Sequence, residues 1–548
     1  MIYRNLVFLM DISPWDIHTF GVLSLECRVS FQRLDVRLNY VTVNMEILIL
    51  SIQSKGNGSY TKFPIIKNEI TRALNIKSPH MSWIGGILEL SSPLRYGITT
   101  RGVPIYRFVP YDRTIGPFAV GCSHRDLLRN VHAIVSESSR TSGSERTEGS
   151  SKEIPRATLV QLLGVPTAET ETNILLSAYA YDSKKELRKH PDVETIIPKP
   201  MQRQRIEGFT FHIDPPGCRD VDDTFTFVKN AGTWTISINI ADVSAYVEEG
   251  STLDLFIQQK ATSFYSPTGE VLAPMLPHQL EQLASLLPGE DKLTLSLQFD
   301  WQGEEISEIN SFRWIPSITN TTSSYTYDEA SVHGPNPREE FQILAKLSKS
   351  EDSHKWVETL MILYNTKAGE LLKERGKGIL RSHSINMDKL EAWTAIDPDL
   401  AFLAYEAASY IHAKEESFHY GLGASAYAYA SSPIRRYCDL VNQRSIHGHT
   451  AVIDDSLIEH LNRRQKQAKA FSRDLFLMTQ LKGDSARGIV VEIKEDAFKV
   501  YVPAWKRVVR VKTMKKVPEV KTQVSLRWHD DMKKVFWKER IVFSFEPI

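Results

Sequence analysis

The sequence has few of the features that mark secreted and membrane-bound proteins. It holds four cysteines in 548 residues, Cys27, Cys122, Cys218 and Cys438, and no two of them form a CxxC pair. This spacing predicts neither a zinc site nor a disulfide framework and favours a reducing compartment. No apolar run approaches the roughly 18 residues of a membrane span, and the apolar run before Asp11 is too short for a secretory signal. We therefore expect no membrane partner and a cytoplasmic location, with the nucleus as the alternative.

An excess of charge of one sign is missing as well. The chain carries 66 Lys and Arg against 66 Asp and Glu, so its formal net charge is zero. Bulk charge therefore gives no sign of nucleic-acid binding, and any basic surface must be local. One such region is residues 501–548, where 12 basic residues face 5 acidic ones and three tryptophans are interleaved.

The length predicts several domains, because a domain takes roughly 150 residues. The segment 84–135 alternates short β-like runs with turn residues, which predicts a small antiparallel barrel or a sandwich. Residues 136–153 contain no apolar side chain and are predicted to form a mobile loop. Two short helices are predicted after that loop, over 157–164 and 171–182. The predicted division is 1–75, of unclear role; 76–200, a small β region with the loop; 201–482, the largest domain; and 483–548, a second small β domain.

The largest domain combines strand and helix patterns. Apolar and polar residues alternate over 234–241, and this run forms a hairpin with the preceding apolar run through the turn "KNAG". Helical patterns are predicted for the segments 337–376, 389–416 and 455–481. The fold class expected from these patterns is α+β and multidomain.

Four aspartates lie within ten residues in "HIDPPGCRDVDDTFTF": Asp214, Asp220, Asp222 and Asp223. Carboxylates this close repel one another and raise one another's pKa values, unless something offsets the repulsion. A bound Mg²⁺ or Mn²⁺ would do so, since hard cations prefer oxygen ligands. Water around a solvated acidic turn is the alternative, and spacing alone leaves both open.

Two further clues have structural alternatives of their own. Arg435 and Arg436 are adjacent in "SSPIRRYCDL", and arginine binds phosphate in a bidentate way, although a pair of arginines also serves surface ion pairs. Tyr265 and Tyr327 could stack on nucleic-acid bases, but most tyrosines simply pack.

Taken together, these segments resemble one enzyme family. The runs "IDPPGCRDVDD", "ADVSAYVEEGSTLDLFIQQKATSFYSP", "PMLPHQLEQLASLLPGEDKLTLS" and "HYGLGASAYAYASSPIRRYCDL" are similar, in this order, to the catalytic (RNB) domain of the ribonuclease II/R exoribonucleases, and "PPGC" is closer to the exosome-type eukaryotic and viral members. The resemblance is strong over 205–450. It extends weakly to 84–200, similar to the family's cold-shock-type region, and to 484–548, similar to its C-terminal oligonucleotide-binding (OB) barrel.

The resemblance implies a hydrolytic, processive 3′→5′ exoribonuclease that degrades single-stranded RNA to nucleoside 5′-monophosphates. It implies an RNB domain of mixed sheet and helices, flanked by OB or cold-shock-like barrels. The expected cofactor is Mg²⁺, with Mn²⁺ as the alternative. The expected partner is single-stranded RNA, for a monomer or a member of an RNA-decay complex. The implied residues are Asp222, Asp223 and Arg435 for catalysis; Asp214, Asp220, Asp222 and Asp223 for the metal; and Tyr265, Tyr327, Arg436 and Glu358 for RNA.

Three positions depart from the family pattern: Asn239 and Tyr429 stand where histidines are usual, and Thr359 stands where a second glutamate is usual. None removes an implied metal ligand or the implied phosphate arginine, so activity is expected. A catalytically inactive RNA-binding protein on the same scaffold is the alternative, and a nuclease acting on DNA is a second one.

Overall fold

The fold is that of a computed structural model of the chain. It describes residues 27–31, 34–44, 47–54, 60–66, 83–111, 115–137, 154–165, 167–179, 198, 201–333, 338–449, 453–479, 481, 485–512, 518–531 and 540–548. The chain divides into two compact units, Met1–Ser82 with Ser139–Glu145, and Trp83–Ser138 with Arg146–Ile548.

The first unit contains a four-stranded antiparallel sheet with the strands in sequence order. Its strands are β1 (Cys27–Phe31), β2 (Leu34–Asn44), β3 (Ile47–Ser54) and β4 (Tyr60–Ile66). Their β-branched and aromatic residues favour extended backbone. This sheet does not indicate a function for residues 1–75.

The second unit begins with a closed five-stranded barrel, which is one of the two architectures predicted for 84–135. Its strands, in the closed order β5-β6-β7-β9-β8, are β5 (Trp83–Leu88), β6 (Ile105–Pro110), β7 (Phe118–Gly121), β8 (Val131–Glu137) and β9 (Arg156–Gly164). The barrel is filled by apolar side chains such as Leu88, Phe108 and Val120, each with no exposed surface.

The prediction of a helix over 157–164 is wrong, because this segment is strand β9. A short apolar run does not distinguish strand from helix by periodicity, and here pairing with both β7 and β8 decides for strand. The following helix α1 (Ala168–Tyr179) confirms the second helix prediction and packs on β5 and β8. Of the loop predicted at 136–153, residues 138–153 lie outside the described residues.

His132 makes the stability of the barrel region dependent on pH. It is buried on β8, its ring contacts the Tyr111 hydroxyl, and burial, with the charge of Arg540, lowers its pKa to about 4. The unfolded chain binds this proton near pH 6.5. Stability from neutral His132 is therefore present above about pH 6.5 and is lost as the pH falls towards 4, by on the order of 3 kcal/mol.

We expect thermal denaturation between pH 7 and 4.5 to show this loss, and His132→Asn to lessen the pH dependence. The exposed His333→Asn is the control, and an unchanged slope in His132→Asn would contradict the assignment.

The second part of this unit is built around a seven-stranded mixed sheet in the order β10-β17-β16-β13-β12-β11-β18. Its strands are β10 (Gln204–Arg205), β11 (Phe209–Ile213), β12 (Asp223–Lys229), β13 (Trp234–Ala241), β16 (Asp291–Trp301), β17 (Arg313–Asn320) and β18 (Ser323–Tyr325). The predicted hairpin is confirmed as β12–β13. Strand β13 is central, so both faces are buried: Ile238 and Asn239 have no exposed surface.

Helices and two small hairpins surround this sheet. The hairpins are β14 (Phe264–Tyr265) with β15 (Val271–Ala273), and β19 (Ile379–Ser382) with β20 (Ser409–His412). The helices are α2 (Thr252–Lys260), α3 (His278–Ala284), α4 (Glu339–Ser348), α5 (Ser353–Arg375), α6 (Met387–Thr394), α7 (Tyr437–Ile446) and α8 (Asp455–Thr479). Short 3₁₀ turns are Val243–Ala245, Ile306–Glu308, Pro398–Ala404, Tyr420–Leu422 and Pro503–Trp505.

The helical predictions are confirmed at α4, α5 and α8. Helix α5 ends at Gly376, whose φ of 60° is the left-handed conformation that glycine adopts without strain. The prediction over 389–416 is wrong beyond Thr394, where a 3₁₀ turn and strand β20 follow. Pro398 lies at the start of that turn, and proline cannot continue the hydrogen-bond ladder of a helix.

The chain ends in a five-stranded antiparallel sheet in the order β23-β22-β21-β24-β25. Its strands are β21 (Ser485–Lys494), β22 (Ala497–Val502), β23 (Arg507–Lys512), β24 (Gln523–Asp530) and β25 (Ile541–Pro547). Its apolar core includes Phe498, Val511 and Leu526. Arg540 forms a buried ion pair with Glu171 of α1, so this sheet is tied to the part of the chain next to the first barrel. Among the described helices, none combines the length and apolarity that crossing a membrane requires.

Candidate active site

The acidic loop connects β11 to β12 at one end of the seven-stranded sheet. Two prolines and Gly217, with φ of 78°, turn the backbone away from the end of β11. Asp223 begins β12, and Asp222 is held just before it, where its carbonyl accepts a hydrogen bond from Ala241. The loop therefore places its last two aspartates at the end of a central strand.

Asp222 and Arg435 are brought into direct contact across 213 residues of sequence. The Arg435 Nε donates to Asp222 Oδ2 over 3.0 Å, and the Ile434 backbone N–H donates to Oδ1 over 2.9 Å. The Asp222 side chain is 2% exposed and that of Arg435 is 45% exposed. The guanidinium therefore reaches from a buried carboxylate towards solvent, and its Nη2 also donates to Ser432 Oγ.

Two of the four carboxyl groups have strongly raised pKa values. Burial raises the pKa of Asp222 to about 7, while Arg435 and the Ile434 N–H oppose the shift. Burial and the charges of Asp214 and Asp222 raise the pKa of Asp223 well above its usual range. Burial is the larger cause in both groups, and Arg435 offsets the rise in pKa only in part.

Asp214 and Asp220 are oriented by other side chains. The Asp214 carboxylate contacts the His212 ring at 2.8 Å, and His212 contacts the Ser324 hydroxyl at 2.7 Å with its other nitrogen. The Tyr265 hydroxyl donates to Asp220 over 2.7 Å. His212 was not predicted, although residues two apart on a strand share a face and the spacing His-x-Asp could have identified it.

The other predicted RNA-binding residues lie in different environments. Tyr327 is near the loop: burial and the charges of Asp214 and Asp223 raise its pKa to about 12. Arg436 instead makes a bidentate pair with Asp439 and lies 4.0 Å from the centre of the Tyr429 ring. Glu358 is exposed on α5 and pairs with Lys355. The structure thus brings Asp222 and Arg435 together and leaves Arg436 and Glu358 in ion pairs of their own.

At two of the three positions that depart from the family pattern, contacts with neighbouring side chains explain the residue that is present. Asn239 is buried in the sheet and joins Thr224, Thr226 and Ser296 by hydrogen bonds of 3.2, 2.8 and 2.7 Å. Tyr429 is flanked by two guanidinium groups, with Arg381 4.6 Å and Arg436 4.0 Å from its ring centre. Nothing in the structure explains the threonine at position 359.

A divalent cation suits this site by donor type but not by the present side-chain geometry. Among the described residues, no group of three or more His, Cys, Asp or Glu is arranged to hold a metal ion. The contacts above explain this, because Asp222, Asp220 and Asp214 face Arg435, Tyr265 and His212. The donors are nevertheless carboxylate oxygens, which Mg²⁺ and Mn²⁺ prefer, and a cation would relieve the repulsion at Asp223. The residues fit such an ion by the chemistry of their donors, and the Mg²⁺ site stays a prediction.

Comparison with known sequences identifies the domain. The family model for the RNB domain matches residues 203–342 and 332–451. A relative from Arabidopsis thaliana, named exosome complex exonuclease RRP44 homolog A, is 24% identical over 538 residues, which cover 77% of this chain and 56% of that protein. This chain therefore spans little more than half the length of that relative.

Solved structures share the fold. Mycoplasma genitalium RNase R in complex with ribose-methylated single-stranded RNA is similar with a TM-score of 0.63 at 16% identity, covering 96% of this chain and 100% of that one. Yeast Ssd1, described as a pseudonuclease, is similar with a TM-score of 0.56 at 16% identity, covering 88% of this chain and 70% of that one. At these identities the similarity shows the architecture alone, a multidomain α+β fold as predicted.

Proposed function

We propose that this chain is an exoribonuclease of the ribonuclease II/R type, which hydrolyses single-stranded RNA processively in the 3′→5′ direction through its RNB domain. One observation supports this above the others. The Asp222–Arg435 contact joins the acidic loop and the "SPIRR" segment, two sequence regions 213 residues apart, at one point of the RNB domain. A merely solvated acidic turn would not bury Asp222 beneath an arginine that extends to the surface.

Some side chains of the site bind the RNA phosphate, and others orient the aspartates. Arg435 stays on Asp222 through Nε and presents the rest of its half-exposed guanidinium to the terminal phosphodiester, where it neutralises charge on the non-bridging oxygens. Tyr265 keeps the proton on its hydroxyl well above neutral pH, because burial and the nearby aspartate charges raise its pKa. That proton fixes the orientation of Asp220. His212 fixes the orientation of Asp214 in the same way.

Asp214, Asp220, Asp222 and Asp223 would hold the cation, Mg²⁺ or Mn²⁺. When bound, it supplies Lewis-acid polarisation of the phosphate and eases ionisation of the attacking water.

The assay that tests the proposal uses 5′-labelled single-stranded RNA, with and without Mg²⁺, beside DNA of the same sequence. A metal-dependent ladder that collapses to a short end product on RNA alone is the expected result, and an excess of unlabelled competitor tests processivity. RNA that is bound on a native gel but never cut would reject the enzyme in favour of an RNA-binding protein. Equal cleavage of DNA would reject selection through the 2′-hydroxyl.

The inactive alternative has one observation in its favour: the described carboxylates are not arranged to hold a metal ion. Ssd1 shows that a pseudonuclease is built on this fold. Isothermal titration with Mg²⁺ and Mn²⁺ discriminates, because an enzyme of the proposed kind must bind at least one of them. The Asp222→Asn variant is the control for binding elsewhere on the chain.

We also propose that the C-terminal sheet contributes phosphate contacts and that the protein works as a monomer or within an RNA-decay complex. Lys506 and Lys512 are exposed on this sheet. Replacing both with alanine is expected to weaken RNA binding at all sequences and to lower the slope of log Kd against log salt by up to about 1.4, or 0.7 for each lost contact. Substitution is preferable to deletion, because a deletion that included Arg540 would leave the buried Glu171 without its ion-pair partner. An unchanged salt slope would contradict this role.

A further inference from the structure

His354, which sequence reasoning did not identify, lies flat on the ring of Tyr327. The ring centres are 3.9 Å apart and the planes differ by 7°. Parallel rings this close are in full face contact, and such contact is common between nucleic-acid bases and aromatic side chains. Among the described residues, Tyr327 is the one ring that His354 contacts.

The N-terminus of helix α5 orients the imidazole and holds the backbone of Tyr327. Asp352 is the N-cap of this helix, and its Oδ1 accepts from the His354 backbone N–H over 2.9 Å and contacts the ring Nδ1 at 3.1 Å. The Ser353 hydroxyl donates to the Tyr327 carbonyl over 2.7 Å. The same three-residue segment therefore orients the imidazole and holds the backbone of its partner. A platform prepared in this way loses little conformational entropy when a ligand stacks on it.

The stacked pair lies beside the acidic loop. The Asp214 backbone N–H donates to the carbonyl of Tyr325, two residues before Tyr327, over 3.0 Å. The charges of Asp214 and Asp223 also act on the Tyr327 hydroxyl. Tyr327 is half-buried, whereas the His354 side chain is 66% exposed. One face of Tyr327 is thus covered, and the ring that meets solvent at this edge of the site is the imidazole.

We propose that His354 and Tyr327 form a two-ring platform beside the catalytic loop, on which His354 stacks against a base near the 3′ end of single-stranded RNA. The proposal rests on the proposed function and adds a positioning residue to it. A base is the ligand class that fits, because it is flat, has the area of the imidazole or more, and belongs to a chain whose phosphates Arg435 neutralises. Stacking does not read the base, so the platform is expected to serve any sequence.

The test uses RNA with 2-aminopurine at the second position from the 3′ end, bound to the Asp222→Asn variant so that it stays uncut. Stacking quenches 2-aminopurine fluorescence. We expect His354→Ala in this background to lose most of the quenching and to raise the Kd about 5- to 100-fold. His354→Phe, which keeps a flat ring, is expected to restore both. In the otherwise unaltered enzyme, His354→Ala is expected to raise KM with little change in kcat.

The matched control is His333→Ala. His333 is an exposed histidine paired with a glutamate, Glu351, at 3.2 Å, much as His354 is paired with Asp352, but it has no ring partner among the described residues. It is expected to leave quenching, Kd and KM unchanged.

The outcomes separate this proposal from the one on which it rests. Quenching and Kd unchanged in His354→Ala, with RNA cleaved normally by the unaltered enzyme, would overturn the platform alone. Tighter binding by His354→Ala would also overturn it, since the imidazole would then cover Tyr327 against RNA. Failure of the unaltered protein to bind or cut RNA would overturn the proposed function itself.

Discussion

Replacing Asp222 with asparagine is expected to lower the rate of RNA cleavage by at least about 10³-fold while RNA binding changes only a few fold. Asparagine keeps the shape of the side chain and can still accept a hydrogen bond from the Ile434 N–H. It removes the negative charge that a cation requires and that orients Arg435. Initial rates on labelled RNA and Kd values from native gels measure the two effects separately.

Asp222→Asn is also expected to raise the stability of the fold, whereas a variant that misfolds would be less stable. Burial raises the pKa of Asp222 in the folded protein from about 3.8 to about 7. The stability that the protonated Asp222 carboxyl contributes is therefore fully present below the pKa of the unfolded chain. It is lost as the pH rises through the folded-state pKa of about 7. Asparagine does not ionise, so without added cation the variant is expected to gain stability relative to the unaltered protein between pH 5 and 8.

Asp300→Asn is the control for this experiment. Asp300 lies on β16 of the same sheet and pairs with Arg313 at the surface, where hydrogen bonds from Thr235 and Arg313 lower its pKa. It is expected to leave cleavage unchanged and to show no gain in stability at alkaline pH. Near-normal cleavage by Asp222→Asn would mean that the assignment of this aspartate is wrong.

The sequence predicted those parts of the fold whose apolar residues recur at a regular spacing over a short segment. The hairpin β12–β13 followed from alternation over 234–241, and α5 followed from a helical pattern closed by Gly376. The same reasoning failed at 157–164, because eight apolar-rich residues fit a strand as well as a helix until the pairing partners are known. Alternation over 234–241 is also typical of a strand with one solvent-facing side, whereas Asn239 is fully buried, because position within a sheet is set by strands distant in sequence.

In the candidate site too, features within one short segment were predictable, whereas contacts between distant segments were not. The four aspartates are visible as a cluster in sequence, but the contact of Asp222 with Arg435 and that of Asp220 with Tyr265 join segments that periodicity cannot relate. His212 was within reach of local reasoning, because residues two apart on a strand share a face. The His354–Tyr327 stack was not, since it depends on where the N-terminus of α5 meets the loop after β18.

The second large effect is expected at Arg435. Arg435→Met keeps the aliphatic stem but removes the guanidinium, and cleavage is expected to fall about 10²–10³-fold, because charge on the phosphate oxygens loses its preorganised partner. The exposed Arg313→Met, which loses surface contacts with Asp300 and Gln298, is expected to retain activity.

A double-variant cycle then separates the role of Arg435 towards the phosphate from its role towards Asp222. Alone, Arg435→Met leaves the carboxylate of a side chain that is 2% exposed without its cation, and stability at pH 8 is expected to fall by about 1–3 kcal/mol. Combined with Asp222→Asn, which removes that charge, most of the stability is expected to return while cleavage stays absent. Stability that does not return would show that Arg435 supports the fold by packing rather than by neutralising Asp222. Cleavage by Arg435→Met at the normal rate would place the phosphate-binding group elsewhere, and Arg436, held by Asp439 and Tyr429, would be the next residue to replace.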